Sequence, residues 1–170
     1  MTTDQPATDP EGAEWLTPRE LAAWRAYFDS SQILFHALEA QLQADAGMPL
    51  AYYEILVNLS EARDWTLRMG ALATTVRSST SRLSHAISRL EECGWVRREP
   101  HPTDRRATFA VLTDDGAAAL AKAAPGHVSA VREHLLRRLT TEQLEQLTDI
   151  SRAIHPDDTG TTPGAEPLRQ

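Results

Sequence analysis

The chain has 170 residues, 41% of them hydrophobic, and a formal net charge of −7. That length and composition suit one domain with a buried core, and no apolar run approaches the roughly 18 residues of a membrane span. The polar, acidic N-terminus predicts no secretory signal, and a single cysteine excludes an internal disulfide, so we expect a cytoplasmic protein.

The first predicted element is a long amphipathic helix within residues 15–47. Thr17 suits its N-cap, Pro18 its first position, and Glu20 the partner in a capping box. Apolar side chains then recur at spacings of three and four, which indicates a helix with one buried stripe. That stripe consists of Leu21, Trp24, Phe28, Phe35, Leu38 and Leu42.

A second helix is predicted from Leu50 to about Ala62, and its apolar composition suits a scaffold beneath the elements that follow. A short strand over 65–67, a helix over 69–76 and a link over 77–79 come next. The helix and the link have the dimensions of the first half of a helix-turn-helix.

The helix after this link is the most informative element of the chain. Hydroxyl side chains at 78–80 offer an N-cap, apolar residues follow at helical spacing, and Gly94 ends the helix. The opposite face carries hydrogen-bond donors, which suits contact with base edges or phosphates in a major groove. We therefore assign major-groove contacts to Ser81, Arg82, Ser84 and His85, and phosphate contacts to Arg77, Ser79 and Arg89. An ordinary solvated helix face is the alternative.

Beyond this helix the spacing of apolar residues changes. Residues 95–99 and 107–112 have the spacing typical of strands rather than of helices. Two prolines in the intervening segment exclude a helix there, so the two runs predict a hairpin with a basic tip. An arginine at such a tip suits a narrow minor groove. We interpret Arg106 as the minor-groove contact and Asp104 as the carboxylate that orients it, with Arg105 as the alternative contact.

Charge is unevenly distributed along the chain. Residues 77–106 hold seven arginines and four acidic residues, a net +3, which leaves −10 for the remainder. A basic surface on an acidic protein suits local contact with DNA. Arg97 and Arg98 alternate on a predicted strand, so at most one should face DNA while the other forms a salt bridge.

Two further helices are predicted after the hairpin. Thr113 should cap the first, which should kink or restart at Pro125-Gly126 because proline removes a backbone hydrogen bond at a cost of about 3 kcal/mol. The second should begin at Thr140 or Thr141. The first helix and these two helices have apolar faces that the core of a winged helix does not use. Leaving these faces in water is unfavourable, because each fully buried leucine contributes roughly 1.5–3 kcal/mol to stability. We therefore expect a second copy of the chain to cover them, the alternative being that they pack within their own domain.

Four motifs lie between the predicted recognition helix and the helix after the wing. They are Leu90-Glu91 with Gly94, Val96-Arg97-Arg98, Asp104-Arg105-Arg106, and Leu112-Thr113 with Gly116. Together they resemble the MarR family, and the resemblance extends over about residues 18 to 155. Members are dimeric winged-helix transcription factors, usually repressors, and many release DNA when a small molecule or an oxidant binds. The resemblance implies a homodimer, an inverted-repeat operator and a candidate effector of small aromatic or phenolic character.

The resemblance also implies where an effector would bind. Relatives hold effectors in the crevice between the dimerisation helices and the DNA-binding lobe. In this chain that crevice would be lined by Trp24, Phe28, His36, Tyr52 and Tyr53. An aromatic stripe that belongs to the core is the alternative.

The sequence gives less support to redox sensing by a thiol, metal binding or enzymatic activity. One branch of the family senses peroxide through a cysteine in the first helix, where this chain has none. Cys93 instead follows Glu91 and Glu92, whose charges disfavour a thiolate, so we interpret it as a structural, unreactive thiol. No His or Cys spacing suits a metal, and no phosphate loop or nucleophile motif is present, so we expect no metal, cofactor or enzymatic activity.

The predicted fold is mainly α with a small β wing, a winged helix-turn-helix with long dimerisation helices. The predicted divisions are a disordered tail at 1–14, a dimerisation helix at 15–47, a DNA-binding lobe at 48–113, dimerisation helices at 114–155 and a disordered tail at 156–170. The predicted function is that of a sequence-specific double-stranded DNA-binding transcriptional regulator, a ligand-responsive repressor. Two alternatives stay open: a winged-helix protein-interaction module, and a thiol redox-sensing regulator that uses Cys93.

Overall fold

A computed structural model describes residues 14–100 and 107–154. The chain divides into two compact units, of which the first ends at Ala37 and the second begins at Leu38. The elements are α1 (Pro18–Ala46), α2 (Leu50–Glu61), β1 (Thr66–Arg68), α3 (Met69–Thr75), α4 (Thr80–Glu92), β2 (Val96–Pro100), β3 (Thr108–Leu112), α5 (Asp114–His134) and α6 (Thr141–Ile154). The mainly helical fold with a small β wing is therefore confirmed. Apart from Glu14, the predicted disordered tails lie outside the described residues.

Helix α1 begins with the capping box that its sequence predicts. The Thr17 amide donates to Glu20 Oε2 at 2.7 Å, and the Glu20 amide donates to Thr17 Oγ1 at 3.2 Å. Hydrogen bonding from Thr17 to the ionised carboxylate, above all from the Thr17 amide, lowers the pKa of Glu20. Two orphan amides of the first turn are thus satisfied within the helix itself.

The apolar stripe of α1 differs between the two units. Leu38 and Leu42, in the second unit, are buried. In the first unit the aromatic side chains remain open, with Trp24 at 52% and Phe28 at 46% of their full exposure, and their ring centroids lie 5.4 Å apart. A large apolar surface of the first unit therefore has no cover within the described part of this single chain.

The core of the second unit lies under α4. Residues from α2, α3, α4 and the sheet pack together, including Leu56, Leu59, Leu72, Ile87 and Leu90, none of which has accessible surface. The sheet is antiparallel with the order β1-β3-β2. The strand predicted at 65–67 is thus confirmed, one residue further along, because Trp65 belongs to a short 3-10 turn before it.

Gly116 joins the start of α5 to the turn after α4. A Cβ atom at this position would overlap the carbonyl oxygen of Trp95 and lie 2.8 Å from Leu112 Cδ1. The Thr113 hydroxyl accepts from the Gly116 amide at 3.0 Å and donates to the Gly94 carbonyl at 2.7 Å. The predicted Thr113 cap is confirmed, and it also fixes the chain that leaves the C-terminus of α4.

A kink or a restart was expected at Pro125-Gly126. Helix α5 is one helix from Asp114 to His134, so the restart does not occur, and the kink stays a prediction. Side chains on both sides of the proline are buried, among them Ala124 and Ala130. Their packing offsets the one backbone hydrogen bond that proline removes.

Helix α6 begins where the sequence indicates. The Thr140 amide donates to Gln143 Oε1 at 2.9 Å, and the Gln143 amide donates to Thr140 Oγ1 at 3.2 Å, which makes a second capping box. Ile150 and Ile154 near its end are exposed. None of the described helices is long and apolar enough to cross a membrane.

Candidate nucleic-acid interface

Helix α4 is held by a defined turn and a side-chain cap. The turn from α3 passes through Arg77, whose φ of +48° lies in the left-handed region that few non-glycine residues adopt. The Ser78 amide donates to the Ala73 carbonyl at 2.9 Å, which closes the end of α3. Ser79 is the N-cap of α4, and its hydroxyl accepts from the Arg82 amide at 3.2 Å. The start of α4 is therefore fixed relative to the helix that precedes it.

Helix α4 buries one face and exposes the opposite one, as the sequence predicts. Leu83, Ile87 and Leu90 are buried against the core. The remaining positions form a polar surface that we call the α4 polar face: Ser81, Arg82, Ser84, His85 and Arg89, all exposed, and the half-buried Ser88. All four residues assigned to a major groove thus lie together on one accessible surface.

One flank of the α4 polar face borders α2 across a cavity of about 810 Å³. Arg77, Arg82, His85 and Arg89 line it together with Tyr52, Glu54 and mostly apolar neighbours. Desolvation raises the pKa of Glu54, although its side chain lies at an exposed edge, and the positive charge of Arg77 acts in the opposite direction. Arginine side chains predominate among the charged groups of this flank.

The other flank of the α4 polar face borders β2 through Arg98. Its Nη2 donates to the Ser84 carbonyl at 2.8 Å, to Ser88 Oγ at 3.2 Å and to Ser84 Oγ at 3.4 Å. Its Nη1 pairs with Glu91 Oε2, and its amide donates to Glu91 Oε1 at 3.0 Å. A salt bridge for one of the two β2 arginines is thus confirmed, and Arg97 also pairs, with Glu99 at 2.7 Å.

Arg89 has an acidic partner on its own helix. Its Nη1 lies 2.7 Å from Glu92 Oε2, and this hydrogen bond raises the pKa of Arg89. Both side chains are largely exposed, so the pair contributes little to stability and is readily exchanged for another anion.

The residues assigned to the wing tip, Asp104, Arg105 and Arg106, lie outside the described residues. The strands on either side are described, and Pro100 of β2 pairs with Thr108 of β3. The wing is therefore a regular antiparallel pair up to the segment that carries these three residues.

The five aromatic residues assigned to an effector pocket divide between the two units. Trp24, Phe28 and His36 belong to the first, and all three are exposed. Tyr52 lines the cavity beside α4, whereas Tyr53 is buried, with its ring centroid 4.4 Å from that of His127. Tyr53 is therefore part of the core, and a shared pocket stays a prediction.

The sequence did not indicate that His127 belongs to the core, because its contact with Tyr53 joins two helices, α5 and α2, that are far apart in the chain. Its Nδ1 is buried and has no hydrogen-bond partner among the described residues, and burial lowers its pKa. Within that same part of the chain, no group of three His, Cys, Asp or Glu residues could hold a metal ion. Cys93, the C-cap of α4, is exposed.

Comparison with known proteins gives consistent results. The sequence profile of the MarR family matches residues 46–107. The transcriptional regulator HosA of Escherichia coli O111:H- is 38% identical over 84 residues, which are 49% of this chain and 62% of HosA. The chain thus matches only about three-fifths of that curated relative.

A solved structure provides a fuller match. Sco3205 of Streptomyces coelicolor, a MarR family transcriptional regulator crystallised in complex with DNA, is 48% identical with a TM-score of 0.81. The match covers 84% of this chain and 89% of Sco3205. The chain belongs to the MarR family. A second MarR-family regulator of that organism, AbsC, is 44% identical with a TM-score of 0.78, and the match covers 85% of this chain and 95% of AbsC.

Membership of the MarR family confirms the resemblance drawn from the sequence motifs. The profile match begins at the end of α1 and ends one residue before β3, so it includes α2, α4 and β2. The relatives that carry the assignment are transcriptional regulators.

Proposed function

We propose that this MarR-family chain is a sequence-specific double-stranded DNA-binding transcriptional regulator, with α4 in the major groove. The observation that carries the proposal is the α4 polar face, where donors from Ser81, Arg82, Ser84 and His85 stand on a capped helix whose other face is buried. Such a helix is rigid and presents side chains that match base-edge acceptors. Sco3205, which was crystallised with DNA, supports the same use of the fold.

Phosphate contacts are proposed for Arg77, Ser79 and Arg89. Arg77 lies in the exposed turn before α4, and the Ser79 hydroxyl accepts from Arg82 while its own hydrogen stays available to a phosphate oxygen. The N-terminus of α4 adds the partial positive charge of its amides. Arg89 would exchange its exposed Glu92 partner for a phosphate.

The wing supplies the proposed minor-groove contact. Arg106 is the proposed contact, Asp104 orients it, and Arg105 is the alternative. The regular pairing of β2 with β3 supports a hairpin, and the hydrogen bonds from Arg98 to Ser84 and Ser88 show that β2 lies beside α4. An alanine at Arg106 should therefore weaken binding most on sequences with a narrow minor groove.

The proposed functional unit is a homodimer on an inverted repeat. The exposed aromatic residues of the first unit, such as Trp24 and Phe28, and the exposed isoleucines of α6 supply apolar surface that a second copy would cover. Two-fold symmetry would place two copies of α4 about 34–36 Å apart, one turn of DNA.

We further propose that the regulator is a repressor that responds to a small aromatic or phenolic effector. The cavity of about 810 Å³ between α2 and α4 supports this response, since Tyr52 offers an aromatic surface beside Arg82 and Arg89. A ligand there would engage the same arginines that the proposal assigns to DNA. Because the ligand would bind the DNA-free protein more tightly than the DNA-bound protein, it would weaken DNA binding by the ratio of those two affinities.

The test is selection of bound duplexes by the full-length chain from a library with a randomised centre. The proposal predicts enrichment of an inverted repeat whose half-sites are one helical turn apart, with affinity that falls steeply as salt increases. Failure to enrich any sequence would favour the protein-interaction module. The effector proposal is tested separately by adding a phenolic carboxylate to the selected complex, with Tyr52→Ala as the variant that should no longer respond.

A further inference from the structure

The turn between α3 and α4 holds an arginine at a backbone position that favours glycine. The Arg77 amide donates to the Thr74 carbonyl at 3.1 Å. The Ser78 amide donates to the Ala73 carbonyl at 2.9 Å. These two bonds, with a φ of +48° at Arg77, form a Schellman motif, in which glycine usually occupies the left-handed position. Arginine is therefore less favourable here than glycine for the stability of the turn.

The cavity beside α4 places this arginine near an acidic residue of α2. Arg77 and Glu54 both line the cavity, whose volume is about 810 Å³, and both are exposed. Burial raises the pKa of Glu54, and the positive charge of Arg77 acts in the opposite direction, so the two charges interact. Within residues 14–100 and 107–154, neither side chain takes part in a direct salt bridge. Each charge therefore remains accessible to a ligand.

The protein core sets the spacing of the two charged residues. On α2, Glu54 precedes Ile55, which is buried in the core. Helix α3 is anchored in the same core by Leu72 and Ala73, and the Ala73 carbonyl also closes the turn at Arg77. The backbones of Glu54 and Arg77 are thus fixed relative to each other. Only side-chain rotation brings their charges closer or takes the guanidinium toward DNA.

We propose that Glu54 competes with DNA for Arg77 and thereby limits how much the phosphate contact of that arginine contributes to affinity. A carboxylate and a phosphate both present anionic oxygens to a guanidinium. In the DNA-free protein Glu54 attracts the guanidinium, so a phosphate gains only the difference between the two interactions. Because phosphate contacts carry no sequence information, the competition weakens binding to every duplex by the same factor. Glu54 thus sets the overall affinity without altering the base preference.

This inference rests on the proposed function, because it requires Arg77 to contact a DNA phosphate. A simpler role for Glu54 is direct repulsion of DNA, as for any exposed acidic residue near the interface. The two roles differ when Arg77 is absent. Competition then has no arginine to act on, whereas direct repulsion persists.

The test measures fluorescence anisotropy of two duplexes, one selected by the full-length wild type and one of random sequence, across a salt series. Glu54→Gln keeps the shape of the side chain and removes its charge. It should tighten binding to both duplexes by about two- to fivefold per bound subunit, as for an exposed ion pair. Arg77→Gln should weaken binding to both, and the slope of log affinity against log salt should decrease in magnitude by about one per subunit. In the double variant the gain from Glu54→Gln should disappear.

Glu61→Gln is the matched control, because Glu61 is an exposed glutamate of the same helix that does not line the cavity. It measures direct repulsion and should tighten binding less than Glu54→Gln does. The inference is overturned if the two substitutions tighten binding equally, or if Glu54→Gln gives the same gain with and without Arg77. A gain on only one of the two duplexes also overturns it, since the phosphate contact does not depend on sequence.

Arg77→Gly keeps the test decisive if Arg77→Gln does not fold. Glycine readily adopts the left-handed conformation, so this variant should unfold at a higher urea concentration than the wild type while it binds DNA less tightly. Glu54→Gln should give no gain in this background, and a retained gain overturns the inference. A wild type that selects no duplex overturns the proposed function. A selective wild type that Glu54→Gln does not tighten overturns this inference alone, so the two failures are distinguishable.

Discussion

The close approach at Gly116 gives a quantitative prediction about how α4 is anchored. In Gly116→Ala the new methyl would overlap the Trp95 carbonyl oxygen and press on Leu112 Cδ1. Overpacking of this kind costs about 1–3 kcal/mol, and here the obstacle is backbone. The Trp95 carbonyl also accepts from the Thr113 amide at 3.1 Å, and losing that bond adds about 1 kcal/mol. We expect a loss of about 2–4 kcal/mol in the free energy of unfolding.

The assay is urea denaturation at one fixed protein concentration, since oligomers show concentration-dependent stability. Gly70→Ala is the matched control, because a Cβ there meets no atom within 4 Å and the residue lies in a helix. It should leave stability unchanged or raise it by up to about 1 kcal/mol. If Gly116→Ala unfolds within about 0.5 kcal/mol of the wild type, the inferred contact does not constrain the protein.

Three further predictions concern stability and assembly. Because burial lowers the pKa of His127, the unfolded chain takes up the His127 proton at a higher pH than the folded chain, so the free energy of unfolding should fall as the pH drops below about 6.5. In His127→Gln the free energy of unfolding, measured by urea titration at several pH values between about 7 and 5, should depend less on pH. Thr17→Ala should lower the free energy of unfolding, measured by urea denaturation, by about 1 kcal/mol, because it removes the cap of α1. Thr17→Ser keeps the hydroxyl and should unfold like the wild type, whereas equal losses in both variants would contradict the role of the cap. Phe28→Glu should shift sedimentation toward a monomer, whereas an unchanged dimer would contradict the proposed interface.

Local chemistry made much of the fold predictable from the sequence. The Thr17 and Thr140 capping boxes define where two helices begin, because both partners lie within one turn of each other. The bounds of α4 likewise follow from a hydroxyl cap, an apolar period and Gly94. These signals depend on neighbours in the chain and need no knowledge of tertiary packing.

The remaining features depend on contacts between distant residues. Of the kink or restart expected at Pro125, the restart does not occur, because buried alanines on both sides hold α5 together, which the local cost of proline does not reveal. The kink stays a prediction. Sequence alternation indicated a salt bridge for Arg97 or Arg98, but only the fold shows that Arg98 turns onto Ser84 and Ser88. The core contact between Tyr53 and His127 had no sequence signal, since it joins two helices far apart in the chain.

The most direct test of the account measures fluorescence anisotropy of a duplex selected by the wild type. Arg82→Ala removes a donor from the α4 polar face, whereas Arg137→Ala removes an exposed arginine that lies beyond the end of α5 and pairs with Glu133. The account predicts that Arg82→Ala loses about 1–3 kcal/mol of binding free energy, with reduced specificity, and that Arg137→Ala binds as the wild type does. Equal effects of the two substitutions, or none from Arg82→Ala, would contradict the claim that α4 contacts DNA.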